Sequence, residues 1–176
     1  MEVMTIKDCI ELAVKAHINQ WRKITNMPYI VHPLRVSEMA YTYGQKEIYK
    51  KVGLLHDVLE DSTLDIPDPD LKILVEGLSL TKKDKARIKR TGESKSGVII
   101  SKIDTAVTGH ENKMICVGVK LCDRLDNLLD MNRMDESFQT RYKTESIELL
   151  DGIDLKFKFP EAFSEVVDNI IEICKD

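Results

Sequence analysis

Residues 53–62, GLLHDVLEDS, combine an apolar helix face with a dense group of ionisable side chains. At about 100° per residue, His56, Asp57, Glu60 and Asp61 fall at about 0°, 100°, 40° and 140° on a helix, so they share less than half of its circumference. Carboxylates crowded in this way repel one another unless a cation lies among them. The stretch therefore predicts a helix that anchors a metal site, and a solvated acidic helix end is the alternative.

The composition is that of an ordinary globular domain. The 176 residues are 43% hydrophobic and 32% charged, and the net charge of -4 argues against a nucleic-acid partner. No apolar run reaches the roughly 18 residues of a membrane span, and the beginning MEVMTIKD lacks the pattern of a signal peptide. We therefore expect a cytoplasmic protein with no membrane partner. The four cysteines form no CxxC pair and are expected to be reduced thiols.

Helical periodicity runs through most of the chain and predicts an all-α fold. Thr5 and Asp8 have the spacing of a capping box before the first helix, and Pro33 can begin the second. We see no strand alternation and no internal repeat. The predicted helices are 6–21, 34–44, 45–59, 70–77, 82–90, 96–108, 112–131, 136–150 and 160–174.

Two other segments carry residues suited to metal binding. His32 lies in YIVHPL, at a turn between two predicted helices, and Asp123 lies in VKLCDRLDN, on a helix whose neighbours are mostly apolar. Taken alone, each has an ordinary structural explanation, since a His before Pro is commonly packed or capped and such an Asp is commonly paired with Arg. Together with His56 and Asp57 they give the chain order H…HD…D.

That order resembles the HD superfamily of metal-dependent phosphohydrolases. The segments QWRKITNMPYIVHPLRV, LLHDVLEDS, LVEGLSLTK and VKLCDRLDNL resemble the hydrolase domain of the RelA/SpoT family and its free-standing small relatives, which remove the 3′-pyrophosphate from (p)ppGpp. The resemblance covers roughly residues 6–131. It implies one HD-type domain, residues 1–176, with a central metal site and further helices in 132–176.

The resemblance also implies roles for individual residues. The metal would be Mn²⁺, with Fe²⁺ or another divalent ion as an alternative, and imidazole and carboxylate ligands suit such ions. The implied residues are the metal ligands His32, His56, Asp57 and Asp123, the catalytic acids Glu60 and Asp61, and the substrate contacts Arg22, Lys23 and Asn127.

The chain departs from the family pattern at several places. The loop between Lys23 and Pro28 has one residue more than the usual RK-x-G-x-P and lacks its glycine. Asp126 replaces a common His and is expected to add negative charge beside the substrate face. Residues 82–112 match poorly. Arg124 is interpreted either as a structural partner for a carboxylate or as a substrate contact.

The expected activity is hydrolysis of (p)ppGpp to GDP or GTP and pyrophosphate, with Glu60 and Asp61 orienting water and carrying its proton. One alternative is an HD phosphohydrolase that acts on another nucleotide or phosphoester. A second is a nucleotide-binding module without catalysis, and a third is an inert helical scaffold. The chain ends before a synthetase domain would begin, so a hydrolase alone is expected.

Overall fold

The computed structural model describes residues 3–23 and 25–175, and these fold into packed helices. In this part of the chain β-structure is limited to an isolated bridge between Trp21 and Pro28, so the all-α prediction is confirmed. The helices are α1 (Ile6–Ala16), α2 (Val31–Gly44), α3 (Glu47–Leu55), α4 (Val58–Asp61), α5 (Pro69–Leu78), α6 (Lys82–Thr91), α7 (Lys95–Ala106), α8 (His110–Asp130), α9 (Glu136–Lys156) and α10 (Ser164–Lys175).

Side-chain caps begin several of these helices. The predicted capping box of α1 is present, since the Thr5 hydroxyl accepts the Asp8 amide and the Asp8 carboxylate accepts the Thr5 amide. Thr81 and Asp84 form a second capping box at α6, which has no buried residue. α6 packs on the core through the half-buried Ile88, and its cap adds local stability.

The first predicted helix is too long. α1 ends at Ala16, with Asn19 in the left-handed region at φ 64°, and α2 begins at Val31 rather than at Pro33. The connecting loop turns at Asn26, whose φ is 55°. Asn tolerates this conformation better than most residues, so it can serve where the family pattern has glycine. Residue 24, within the altered RKITNMP segment, lies outside the described residues.

The predicted continuous helix over 45–59 is interrupted at the residues that matter most. α3 ends at Leu55, and α4 begins only at Val58. The ring Nδ1 of His56 donates to the Gly53 carbonyl at 2.7 Å, the oxygen that would accept the Asp57 amide in a continuous helix. The prediction of one continuous helix is therefore wrong, because His56 and Asp57 lie in the break.

α2 and α3 pack closely against each other beside this break. A Cβ on Gly53 would lie 2.6 Å from the Ser37 Cα, so the glycine lets the two backbones meet. α8 runs through the core with buried residues from Ile115 to Leu128 and packs on both helices. This arrangement brings the first turn of α2, the α3–α4 break and the middle of α8 together.

The final helices differ from prediction mainly at their ends. α9 continues to Lys156 rather than ending at Leu150, and α10 begins at Ser164 after a 3₁₀ turn over Glu161–Phe163. Phe163 is fully buried, and a Cβ on Gly118 would meet its ring at 2.5 Å. Across residues 3–23 and 25–175, we find no helix with the length and apolar character needed to cross a bilayer.

Candidate active site

Four predicted ligands converge at the meeting point of α2, α3 and α8. The Nε2 atoms of His32 and His56 lie 3.3 Å apart. The Asp57 Oδ2 is 3.0 Å from the His56 Nε2 and 3.6 Å from the His32 Nε2. The Asp123 Oδ1 is 3.2 Å and 3.8 Å from the His32 and His56 Nε2 atoms, respectively. The structure thus brings residues from three separate segments to one point.

Both imidazoles are oriented from behind by acceptors. The His56 Nδ1 donates to the Gly53 carbonyl at 2.7 Å, and the His32 Nδ1 donates to the Asp126 Oδ2 at 2.6 Å. With each Nδ1 serving as a donor, the Nε2 of a neutral ring carries a free lone pair. Both lone pairs face the space between the two carboxylates, which is the arrangement that metal-binding histidines require.

The spacing of these atoms fits a divalent cation. Bonds of about 2.1 Å that meet at roughly 90–109° place neighbouring ligand atoms about 3.0–3.4 Å apart. Three of the separations, at 3.0, 3.2 and 3.3 Å, fall within this range, and two, at 3.6 and 3.8 Å, exceed it. Donor atoms of His32, His56 and Asp57 all lie within 4.8 Å of one another. Two imidazoles and two carboxylates suit Mn²⁺, Fe²⁺ or Zn²⁺.

The pKa values of the clustered side chains are shifted so that positive charge on His56 and negative charge on Asp57 and Asp123 are favoured. Burial alone would lower the pKa of His56, but the charge and hydrogen bond of Asp57 and the charge of Asp123 raise it to about 9. The pKa of Asp57 is lowered, because the positive charge of His56 outweighs the opposite effect of burial. The pKa of Asp123 also lies well below its usual value, since Lys120 and His32 outweigh burial. A bound cation would take over this role of stabilising the carboxylates.

Two residues beside the cluster were not assigned a role from the sequence. Tyr29 donates its hydroxyl to the Asp57 Oδ2 at 2.7 Å, and burial together with Asp57 raises its pKa. The Lys120 Nζ lies 2.6 Å from the Asp123 Oδ2. The position of Lys120 three residues before Asp123 was visible in the sequence, whereas the contact of Tyr29 depends on how α2 meets the α3–α4 break.

The two predicted catalytic acids have different surroundings. The Glu60 Oε2 accepts the Leu80 amide at 2.8 Å, and its Oε1 lies 2.9 Å from the Lys85 Nζ. Asp61 is more exposed, and burial of its carboxylate together with the charges of Asp57 and Glu60 raises its pKa. Glu60 is therefore held in place, while Asp61 is the acid whose proton affinity is increased.

A cavity of about 240 Å³ opens over the cluster and adjoins a second groove of about 560 Å³. Tyr29, Asp61 and Asn127 line both. The cavity carries the cations Lys95, Lys120 and Arg124. The groove has an aromatic character, with Trp21, Met134 and Phe138 beside Arg22 and Lys23.

The three predicted substrate contacts occupy different positions at the groove. Arg22 is 5% exposed, and its Nη2 lies 2.8 Å from the Asp130 Oδ2 and donates to the Asn127 Oδ1 at 3.2 Å. Asn127 in turn donates to the Asp123 Oδ1 at 2.7 Å. Lys23 is exposed at the groove rim. Through this chain of hydrogen bonds, Arg22 and Asn127 also hold the Asp123 carboxylate in place.

Arg124 is buried and has no acidic partner among the described residues. It is 7% exposed, and within residues 3–23 and 25–175 its guanidinium has no carboxylate at ion-pair distance. Its Nη1 contacts the neutral Ser146 hydroxyl at 3.4 Å, its Nε has no hydrogen-bond acceptor in the same part of the chain, and it stacks on Tyr142 at 4.3 Å. The carboxylate partner considered for Arg124 is therefore not found in the part of the chain that the structure describes. A buried cation at a cavity wall is suited to an anionic ligand.

The expectation that Asp126 adds negative charge beside the substrate face is also wrong. Asp126 is 2% exposed and lies behind His32, not beside the cavity, where its carboxylate meets the His32 ring, Arg35 and Arg22. It therefore adds no charge to the substrate face. One sequence cannot reveal this, because the side of α8 that meets α2 is decided by tertiary packing.

The remaining histidines and cysteines lie apart from the cluster. His17 is buried against Tyr29, with ring centroids 4.8 Å apart, and its Nδ1 lies 2.9 Å from the Gln20 Oε1. His110 is exposed at the start of α8. All four cysteines are free; Cys9, Cys116 and Cys122 are buried, and Cys174 is half-buried.

Comparison with known proteins agrees with the motifs. The GTP pyrophosphokinase of Streptomyces coelicolor is 25% identical over 189 residues, covering 95% of this chain and 21% of that protein. The guanosine-3′,5′-bis(diphosphate) 3′-pyrophosphohydrolase of Borreliella burgdorferi is 25% identical over 193 residues, covering 97% of this chain and 28% of its own length. The chain resembles proteins of the RelA/SpoT family. It thus spans about a fifth to a quarter of the curated relatives' length, and no family model matches it.

A solved structure supports the fold. The structure of a metazoan ortholog of SpoT that hydrolyzes ppGpp superimposes with a TM-score of 0.71 at 20% identity, covering 99% of this chain and 97% of that one. The all-helical fold of this chain is therefore that of the SpoT ortholog.

Proposed function

We propose that this chain hydrolyses the 3′-pyrophosphate of (p)ppGpp, releasing GDP or GTP and pyrophosphate. The observation that carries the proposal is the convergence of His32, His56, Asp57 and Asp123 beside two further acids in a cavity with cationic walls. The names of the RelA/SpoT relatives support the substrate class. The proposal includes a single domain, a cytoplasmic location, and no nucleic-acid or membrane partner.

The ion would be held by the Nε2 atoms of both histidines and by one carboxylate oxygen each of Asp57 and Asp123. Mn²⁺ is the proposed metal, and Fe²⁺ is compatible with the same donors. Such an ion supplies Lewis-acid activation of water and of a phosphate oxygen at neutral pH.

Glu60 and Asp61 would divide the acid–base work. Glu60, fixed by the Leu80 amide and by Lys85, would orient the attacking water. Asp61 would hold the transferred proton on its carboxylate, because its raised pKa brings its proton affinity closer to neutral pH. The proton would then be available to the oxygen of the departing nucleotide.

The cations of the cavity would bind the diphosphate. Arg124 can offer two parallel N–H donors to phosphate oxygens, and Lys95 and Lys120 line the same space. Since Arg124 already lies out of water, an incoming phosphate would supply a counter-charge that none of the described residues gives it. Their positive charge would offset the negative charge that develops during hydrolysis.

The adjoining groove would take the nucleoside. Trp21 and Phe138 offer aromatic surface on which a base can stack, and Lys23 and Asn127 offer polar contacts. Tyr29 and Asp61 lie where the groove and the cavity meet, so one nucleotide could span both.

The test is release of pyrophosphate from ppGpp by the purified chain, with and without Mn²⁺. We expect Mn²⁺-dependent release, together with much slower turnover of a panel of nucleoside mono-, di- and triphosphates. Efficient hydrolysis of another panel member but not of ppGpp would reject the substrate and favour a different phosphohydrolase. Tight ppGpp binding without turnover would favour a binding module.

Two variants serve as matched controls for this assay. Asp57→Ala should lose both metal binding and turnover, because it removes a proposed ligand. Glu60→Gln should retain the metal but lose rate, because it changes only a proposed catalytic acid. Full activity in either purified variant would refute that residue's role.

A further inference from the structure

Asp126 fixes the proton of the His32 ring. The His32 Nδ1 and the Asp126 Oδ2 are 2.6 Å apart, and both side chains are almost completely buried. In a contact this short a carboxylate accepts, so Nδ1 carries the proton. The Nε2 of the neutral ring is then left without one, and it faces His56, Asp57 and Asp123.

Two guanidinium groups in turn fix Asp126. The Arg35 Nε lies 2.7 Å from the Asp126 Oδ1, and the Arg22 Nη1 lies 3.5 Å from its Oδ2. Both arginines are also anchored on Asp130, through the Arg22 Nη2 at 2.8 Å and the Arg35 Nη2 at 2.6 Å. The carboxylate that meets His32 therefore cannot turn away without breaking ion pairs in a buried cluster.

We propose that Asp126 is a positioning residue that holds His32 in the Nδ1–H tautomer with Nε2 presented to the divalent ion. The inference rests on the proposed metal site. A carboxylate behind a ligating imidazole fixes the ring and increases its basicity. Asp126 does so from the position at which the RelA/SpoT motif commonly has His.

The Asp126→Asn variant tests the inference with almost no change in shape. Arg35 approaches both oxygens of the Asp126 carboxylate, with its Nε 2.7 Å from Oδ1 and its Nη2 donating to Oδ2 at 3.1 Å. If the NH₂ group of the new side chain faces His32, the ring accepts at Nδ1 and carries its proton on Nε2, the tautomer that cannot bind a metal through Nε2. If the amide oxygen faces His32, the ring loses the carboxylate charge that increases its basicity. Either orientation should weaken metal binding.

Two measurements read this out without relying on turnover. In the metal-free wild type, ¹⁵N NMR of the histidine rings, recorded at a pH at which His32 is neutral, should show its proton on Nδ1. In a Mn²⁺ titration, Asp126→Asn should weaken binding about 10- to 100-fold.

Asp130→Asn is the matched control, because Asp130 contacts the same two arginines but does not contact His32. It should leave the His32 tautomer unchanged and the Mn²⁺ affinity within about threefold. Wild-type Mn²⁺ affinity in folded Asp126→Asn would overturn the inference, as would a neutral wild-type His32 ring that carries its proton on Nε2. Wild type that binds Mn²⁺ but does not hydrolyse ppGpp would reject the proposed substrate, while the tautomer and affinity results would still support Asp126.

Discussion

At the scale of single residues, the site is defined by which ionisable groups have partners and which do not. Asp126 and Arg22 lie in a buried network of opposite charges, whereas Arg124 is buried with only neutral partners among the described residues. The sequence indicated the metal-binding residue types and their order. It could not separate Arg124 from Asp126, because both lie on α8 within three residues and only the packing of α2 and α9 decides which one faces the cavity.

Replacing Arg124 should weaken substrate binding more than it weakens the fold. Arg124→Met keeps a long apolar side chain against Tyr142 but removes the charge and the paired donors. A lost hydrogen bond to a charged group corresponds to about a 10- to 100-fold fall in kcat/KM, which steady-state kinetics with ppGpp would measure. Arg124→Lys should recover part of it, because charge returns without the planar fork. Unchanged kcat/KM in Arg124→Met would remove the residue from the phosphate site.

The ionised Asp61 carboxylate should lower the free energy of unfolding of the metal-free protein at neutral pH. Its pKa is raised in the folded state, so folding disfavours its ionised form, and this penalty grows as pH rises through the raised value. Asp61→Asn should therefore raise the melting temperature at pH 7 in the presence of a chelator, and the gain should shrink as pH falls and Asp61 becomes protonated. Because the side chain is partly exposed, solvent screening limits the gain to no more than about 1 kcal/mol.

Asp65→Asn is the comparison for that measurement. The pKa of Asp65 is lowered by its hydrogen bond with Lys72, so neutralising it should give no gain at pH 7. An equal gain in both variants would mean that the effect follows general surface charge and not the surroundings of Asp61.

At the scale of helices, the periodicity predicted where most of them lie but not how the central one ends. The segment LLHDVL contains no Gly or Pro that would mark the break between α3 and α4, and every residue in it is compatible with a helix. The break depends on the His56 ring reaching the Gly53 carbonyl and on α3 meeting α2. The end of α1 at Ala16 was missed for a similar reason, since the apolar spacing continues through Ile18 although Asn19 turns the chain.

Gly53→Ala tests whether this close contact sets the site. Its Cβ would meet backbone of Ser37 at 2.6 Å, so α2 and α3 must move apart, at a cost of about 1–3 kcal/mol. Because His32 lies on α2 and His56 directly follows the end of α3, Mn²⁺ affinity should fall as well. Thermal unfolding and a metal titration would measure the two effects.

Gly152→Ala provides the control for that substitution. Its Cβ would meet only the flexible tip of Ile100, at 2.5 Å, in a helix that gains from replacing glycine. It should change stability little and leave Mn²⁺ affinity unchanged. Equal changes in Mn²⁺ affinity in the two variants would mean that the α2–α3 contact does not determine the geometry of the metal site.

At the scale of the whole molecule, α2, α3 and α8 form a frame that gathers distant segments into one site. The sequence resemblance predicted the fold and the RelA/SpoT relationship, because both depend on motifs that lie in order along the chain. The second layer of contacts, formed by Tyr29, Arg35, Asp126 and Asp130, could not be predicted, since it depends on which helix faces meet. The chain order H…HD…D therefore indicated a metal site, while the packing of the helices shows which residues hold the proposed ligands in place.

The most direct test of this account is the position of the metal, measured by anomalous diffraction from crystals grown with Mn²⁺. We expect one strong peak between the two histidine Nε2 atoms, about 2.0–2.3 Å from them and from an oxygen each of Asp57 and Asp123. A strong peak elsewhere, or a fully occupied ion that lacks His32 or Asp123 as a ligand, would contradict the account.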